Sequence, residues 1–422
     1  MYVQRTIEKA IINVSKSFPC IAIYGPRQVG KSTTVHQLFK DSFGYVSLDN
    51  LDDRALAISN PRAFLDSYRW PLVINEIQKA PLLLDEIKRR IDEQRLKWLD
   101  SNEDRSLMYV ITGSNRFELQ QGISDSLAGR CSIIDMYGFS NPEINQVEAR
   151  LFNPNIEILL DRERDSKLTY KTREQIFESI FKGGMPDVVT QIADREFYFK
   201  SYVSTYLEKD VKKLIQSSSE NLFLNFLQIL ALRTSQELHY DVLARDCGVD
   251  TRTLKKWISI LETSGIVYLL RPYMANVSNR IIKAPKLYFL DTGLCAYLSK
   301  IPNAQMLEKY TLSGAFFETY VVSEIVKNLS SFNLDPKDYL FYYRDSDQKE
   351  IDLLFVKDRS IYPIEVKKGI TPKKATKNFK VLDKYNLPIK NGLVIDCTDK
   401  IRAIGDGNYY YPVHLLGAKC FT

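Results

Sequence analysis

Gly25-Pro26-Arg27-Gln28-Val29-Gly30-Lys31-Ser32 follows the apolar run of residues 19–24 and opens a helix-forming segment. A strand, a glycine-containing loop and a helix N-terminus in that order turn backbone N–H groups toward phosphate oxygens. In such a loop Lys31 reaches the outer phosphates and the Ser32 hydroxyl meets Mg²⁺. Gly25, Pro26, Arg27, Gln28, Val29, Gly30, Lys31, Ser32 and Thr33 are therefore the candidate nucleotide-binding residues. The bland alternative is a basic turn that holds nothing.

Working outward, apolar segments at residues 20–24, 45–48, 72–74 and 108–112 alternate with helical stretches through about residue 138. This rhythm predicts an α/β unit with a mostly parallel sheet, ligands lying beyond the carboxyl ends of its strands. Leu72-Val73-Ile74 ends in Asn75-Glu76, where Glu76 is the candidate to orient the water attacking a γ-phosphate. Asn75 brings an oxygen but no charge to the Mg²⁺ side. The next apolar run leads into Thr112-Gly113-Ser114-Asn115, which makes Asn115 the candidate γ-phosphate sensor. Arg130, in Ser126-Leu127-Ala128-Gly129-Arg130, is readable as an arginine finger toward a neighbouring subunit or as half of an internal salt bridge.

The 422 residues, 45% hydrophobic and 26% charged, are enough for two to four packed domains. Six dispersed cysteines without zinc or redox spacing suggest buried thiols in a reducing compartment. With no leader pattern and no membrane-length apolar run, the expectation is a cytoplasmic protein with no membrane partner. The net charge of +6 is modest, but six lysines face a single acidic residue between residues 361 and 380. That segment is either a solvated basic face or an anion-binding one.

Four units are expected: an ATPase core over residues 1–138, a helical lid or linker over 139–232, a winged-helix-like module over 233–311 and an α/β domain over 312–422. Pro142, Asn153, Pro154 and the charged run 161–167 are expected to weaken any continuous core and mark a change of unit. Gly183-Gly184-Met185-Pro186 interrupts the helical pattern that follows. In residues 240–264 two helices flank the turn Cys247-Gly248-Val249, and residues 266–270 read as a strand. Arg252, Lys255 and Lys256 suit DNA phosphates, whereas Trp257, Ile258, Ile260 and Leu261 suit a packing adaptor.

These motifs, in this order, resemble the archaeal and bacterial AAA-type P-loop ATPases that carry a C-terminal domain of formerly unknown function. The resemblance also rests on Ser47-Leu48-Asp49, Ile74-Asn75-Glu76-Ile77-Gln78-Lys79-Ala80-Pro81, Tyr206-Leu207-Glu208-Lys209-Asp210-Val211, Lys286-Leu287-Tyr288-Phe289-Leu290-Asp291-Thr292-Gly293-Leu294 and Gly314-Ala315-Phe316-Phe317-Glu318. It implies ATP with Mg²⁺ as cofactors, phosphate and metal roles for Lys31 and Ser32, water polarisation by Glu76 and sensing by Asn115. The family commonly has Asp where this chain has Asn75, which points to binding with slow hydrolysis to ADP. A homo-oligomer or a protein partner stays open.

In the last third, strands are expected at residues 340–343, 351–356, 361–367 and 393–396, after a helix at 316–329. Asp352 lies thirteen residues before Glu365-Val366-Lys367. A hairpin brings Asp352, Glu365 and Lys367 to one edge, and Glu318 on the helix offers a third carboxylate. This pattern resembles the restriction-endonuclease fold, with Glu318, Asp352 and Glu365 as Mg²⁺ ligands and Lys367 as the catalytic ammonium. Lys368, Lys373, Lys374 and Lys377 are expected to hold a flanking nucleic-acid backbone. The reading is an ATP-dependent switch coupled to a nuclease-like domain. Its rival is a non-catalytic, nucleotide-gated DNA- or protein-binding regulator.

Overall fold

A computed structural model of the chain describes residues 2–101, 106–113, 123, 126–164, 168–205, 220–273 and 284–418. Five parallel strands, β1 (Cys20–Tyr24), β2 (Gly44–Ser47), β3 (Leu72–Asn75), β4 (Tyr109–Gly113) and β5 (Cys131–Asp135), lie in the order β2-β3-β4-β1-β5. Along β1, Ile21 and Ile23 enter one core while Cys20, Ala22 and Tyr24 enter the core on the opposite face. Both faces are apolar, so the strand reads as an unbroken hydrophobic run. Strand β5 was not among those expected. It is a half-buried edge strand whose Cys-Ser-Ile-Ile-Asp sequence shows no strong alternation.

The α/β order delivers the chain from β1 into the loop of residues 25–30 and then into the helix Lys31–Phe39. Gly25 has φ +151°, and a Cβ there would lie 1.8 Å from the Met136 carbonyl oxygen beyond β5. A side chain is excluded where the loop leaves the sheet. Gly30, at φ 91°, is the left-handed residue that caps the helix.

Beyond the sheet, the helices among the described residues include Arg173–Lys182, Pro186–Val189, Arg195–Tyr202 and Glu220–Leu232. The first starts in a reciprocal cap between Thr172 and Gln175. The interruption at Gly183-Gly184 is a junction. Gly184 N donates to Asp291 Oδ2 at 2.8 Å, and Gly184 O accepts from Phe139 N at 2.7 Å. Helices Tyr240–Cys247 and Thr251–Thr263 and the antiparallel pair β6 (Val267–Leu270) and β7 (Lys286–Phe289) come next. Leu254, Trp257, Ile258 and Leu261 are buried, whereas Arg252, Lys255 and Lys256 are exposed on the other face of their helix.

The long helix Ser313–Ser331 leads to a mixed sheet of β8 (Leu340–Arg344), β9 (Glu350–Lys357), β10 (Ser360–Val366), β11 (Leu393–Asp396), β12 (Arg402–Gly405) and β13 (Asn408–Pro412). The strand order is β12-β13-β11-β10-β9-β8, with β10, β11 and β13 parallel and the remaining pairs antiparallel. Asp358 and Arg359, at φ 48° and 58°, make the two-residue turn between β9 and β10.

The core does not weaken around Pro142 and Asn153, contrary to expectation. Phe152 is buried in the same apolar cluster as Ile21, Trp257, Phe317 and Leu353. Pro142 lies in the first turn of the short helix Asn141–Ile144, where a missing N–H is harmless. The backbone here is satisfied by the long helix: Asn141 N donates to Glu324 Oε2 at 2.6 Å, Phe152 N to Asn328 Oδ1 at 2.7 Å, and Asn328 Nδ2 to Arg150 O at 2.8 Å. Among the described residues, no helix is long and apolar enough to cross a membrane.

Candidate functional site

At the carboxyl end of β1, the Lys31 ammonium donates to the carbonyls of Gly25 at 2.9 Å and Pro26 at 2.7 Å. It is almost fully buried. Burial, opposed by Glu76 and helped by Arg27, lowers its pKa to about 8. A phosphate group is a strong partner for such a desolvated cation. Gln28 has φ 61°, a conformation uncommon outside glycine, in the middle of the loop.

Asn75 is fixed from three sides. Its Oδ1 accepts from Ser32 Oγ at 2.7 Å and Thr112 Oγ1 at 2.6 Å, while Nδ2 donates to Ser47 Oγ at 3.1 Å. Because the Ser32 proton is spent on Asn75, the hydroxyl lone pairs are left for a cation. The donor set therefore fits Mg²⁺, with Ser32 as the hard-oxygen ligand and Asn75 as the group that orients it. Glu76, at φ 58°, ends β3 in the left-handed region and starts the single turn Ile77–Lys79. A non-glycine residue held there costs of order 1 kcal/mol, as is common at functional sites. Its carboxylate accepts from Gln78 Nε2.

Ser114 and Asn115 lie outside the described residues, as does Tyr206-Leu207-Glu208-Lys209-Asp210-Val211. Arg130 is engaged inside the chain: Nε and Nη2 reach the two oxygens of Asp92 at 2.6 and 3.0 Å, and Nη1 donates to Ala128 O at 3.0 Å. Reaching a second subunit's nucleotide requires breaking this bidentate pair.

In the C-terminal sheet, β9 and β10 bring Asp352, Glu365 and Lys367 together. Lys367 Nζ lies 3.1 Å from Asp352 Oδ2 and 2.8 Å from Glu365 Oε1, and Val366 N donates to Asp352 Oδ2 at 2.8 Å. Both carboxylates are buried, and among the described residues Glu365 Oε2 has no hydrogen-bond partner. Burial, reinforced by Asp352, raises the Glu365 carboxyl to about 8 although Lys367 pulls it down. Burial raises the Glu318 carboxyl and Asp352 is near enough to help, but Glu318 makes its contacts elsewhere: its Oε1 accepts from Tyr288 OH at 2.6 Å and lies 3.2 Å from Lys286 Nζ. Among the described residues no three carboxylate, imidazole or thiol side chains are gathered into a metal-binding group. The two lysines stand between the carboxylates instead. Lys373, Lys374 and Lys377 are exposed beyond this edge, whereas Lys368 donates to Ser313 Oγ and Glu308 O.

Residues 17–145 match the AAA domain family, residues 173–305 a domain of unknown function (DUF8612) and residues 313–416 another (DUF4143). The chain carries an AAA domain and a DUF4143 domain. The AAA-domain match spans the loop that holds Lys31 and Ser32. Two uncharacterized proteins, from Mycobacterium tuberculosis and Mycobacterium bovis, are each 25% identical over 359 residues, covering 84% of this chain and 71% of theirs. The Walker-type ATPase of Pyrococcus abyssi is similar over 70% of this chain and 96% of its own at 14% identity, with a TM-score of 0.43. The Aeropyrum pernix ORC2 protein in its ADP form is similar over 76% and 95% at 12% identity, with a TM-score of 0.27.

Two buried cations of these sites were not among the candidates. Arg5 donates to the carbonyl of Val29 within the phosphate loop of the AAA domain, and no local pattern around it signals that role. Lys286 pairs with Glu318 and Glu350, and its place in a motif with Tyr288 and Asp291 was the available signal.

Proposed function

We propose that this protein is an ATP-binding switch whose AAA domain hydrolyses ATP slowly and governs how the DUF4143 domain meets a nucleic acid, which that domain cuts with Mg²⁺. The observation that carries the nuclease half is the convergence of Asp352, Glu365 and Lys367 at one sheet edge, with a buried carboxylate oxygen of Glu365 left unpaired. A buried acceptor without a donor costs about 1–3 kcal/mol, which a cation would relieve. The residues fit Mg²⁺, an ion usually held by one or two carboxylates together with water and substrate phosphate. When bound, the ion polarises a phosphate oxygen and acidifies a water. The chain's own residues do the rest. Asp352 and Glu365 hold the charge, Lys367 is placed to meet the scissile phosphate or the water, and the exposed Lys373, Lys374 and Lys377 attract the flanking backbone.

The slow hydrolysis follows from Asn75, which orients Ser32 without adding negative charge beside the cation. That residue also favours a second reading, a nucleotide-gated regulator that binds DNA or protein and cuts nothing. An assay of DNA cleavage with ATP and Mg²⁺, run beside Lys367→Ala, separates them. Metal-dependent cleavage that Lys367→Ala abolishes supports the nuclease. Nucleotide-dependent DNA binding without cleavage supports the regulator.

A further inference from the structure

The carboxylates of the C-terminal site pair with two lysines, and Asp352 feels the charge of both. Lys367 holds Asp352 and Glu365. Lys286 Nζ lies 3.2 Å from Glu318 Oε1 and 2.5 Å from Glu350 Oε1, with the Tyr342 ring centroid 5.6 Å away. Lys286 comes from β7, in the module that precedes the sheet. That module is joined to β8 by Tyr273 N donating to Tyr342 O at 2.7 Å and Tyr342 N to Arg271 O at 3.0 Å.

The two lysines differ in what they can do. The Lys367 side chain is 40% exposed and can swing into solvent, releasing Asp352 and Glu365. That of Lys286 is 3% exposed, and leaving would strand a buried ammonium and take the nearest cation from Glu318, which would keep Tyr288, and from Glu350, which would keep Arg344. The unpaired oxygen also lies beside Lys367, on Glu365, whereas Glu318 already accepts from Lys286 and Tyr288. At the rim Arg344 Nη1 lies 3.3 Å from Glu237 Oε1 and 3.6 Å from Glu350 Oε2.

We propose that Lys286 is a built-in substitute for a second metal ion, so that the site takes a single Mg²⁺ or Mn²⁺, at Asp352 and Glu365, and never one at Glu318 and Glu350. The inference rests on the reading of Asp352 and Glu365 as metal ligands given above. Lys286 is thus a positioning residue, holding Glu318 out of the coordination sphere by a contact that originates in the preceding module. A cation approaching Glu318 meets the fixed positive charge of Lys286 as well as an occupied carboxylate.

Mn²⁺ titration of the full chain without nucleotide, counting free ion by electron paramagnetic resonance, tests this. The reference is the Asp352→Asn, Glu365→Gln double variant, which retains the AAA domain's own sites. The parent should bind one Mn²⁺ more than the reference, and Lys286→Met should bind two more. Glu318→Gln, a milder change that keeps a hydrogen-bonding side chain, should leave the affinity of the single site unchanged, whereas Glu365→Gln should weaken it by at least about tenfold. If Lys286→Met does not fold, this comparison decides. Two extra ions in the parent, only one in a folded Lys286→Met, or a tenfold loss in Glu318→Gln overturns the role of Lys286 while the metal reading stands. No extra ion in the parent overturns both.

Discussion

Arg5 Nη1 donates to the carbonyl oxygen of Val29 at 2.8 Å, tying the phosphate loop to a residue at the very start of the described chain. The same guanidinium reaches Glu143 Oε1 through Nε at 3.1 Å and Tyr137 O through Nη2 at 2.7 Å. Burial works to raise the Glu143 carboxyl, but Arg5 and the N–H groups of Ser140 and Thr6 outweigh it and hold the group below its ordinary value. The segment around Glu143 is in turn bonded to Glu324 and Lys327 on the helix that carries Glu318. A series of buried polar contacts thus runs from the nucleotide loop to the long helix that precedes the C-terminal sheet.

Replacing Arg5 should therefore affect both stability and nucleotide binding. Arg5→Ala strands the buried Glu143 carboxylate, a loss of about 3–5 kcal/mol. Arg5→Lys keeps the charge but cannot hold three acceptors in the plane of a guanidinium, so it should cost less and still loosen the loop. Denaturant midpoints and ATP calorimetry on both variants check this. The expectation is ATP affinity lowered by roughly tenfold in Arg5→Lys, one charged hydrogen bond's worth. Unaltered affinity in a folded Arg5→Lys would show that the loop does not depend on this contact.

Lys31→Ala should weaken ATP by roughly tenfold to a hundredfold and leave adenosine untouched. The ammonium lies on the Gly25 and Pro26 carbonyls at the end of β1, where it meets phosphates and not the base. Calorimetry with both ligands reads the difference. Equal losses would place Lys31 outside the phosphate site.

Asn75→Asp should raise steady-state phosphate release by on the order of tenfold with little change in ATP affinity. The oxygen that accepts from Ser32 and Thr112 is retained, and the Ser47 hydroxyl can turn to donate to the new oxygen in place of accepting from Nδ2. The gain is one negative charge beside the Mg²⁺ position. A rate that stays level or drops would mean that the amide's bond to Ser47 is itself needed.

How much of this was legible depended on whether the partners were close in sequence. The phosphate loop and the pair Asp352 and Glu365 were readable because each uses a strand and its immediate continuation, where spacing fixes geometry. Strands β12 and β13 were missed, as the exposed Arg402 and half-buried Asn408 at their starts give no clean alternation. Glu318 was placed on the right helix, but its capture by Lys286 depends on a strand 32 residues away in another module. Arg5 carries no local signal, because its partners are the carbonyls of Val29 and Tyr137 and the distant carboxylate of Glu143. Backbone acceptors leave no mark in a sequence.

His414 should make the C-terminal domain acid-sensitive. Its ring is buried against Tyr170, Nδ1 has no hydrogen-bond partner among the described residues, and burial together with the nearby Lys171 lowers its pKa to about 4, against a smaller upward pull from Asp399. The unfolded chain holds the ordinary value near 6.5. Between pH 4 and 6.5 the unfolded state therefore binds more protons, so stability is intact above 6.5 and declines as the pH falls toward 4. The loss approaches about 3 kcal/mol at the acid end. Asp396, raised to about 6 chiefly by burial, works in the opposite sense, since its contribution fades as the pH climbs through that range. A difference measurement separates the two. The urea stability of the parent minus that of His414→Gln, taken at intervals from pH 7.5 to 4.5, should shrink steadily below 6.5 while Asp396 acts equally on both. A pH-independent difference would mean that the ring titrates alike in the folded and unfolded chains, as a solvated imidazole does.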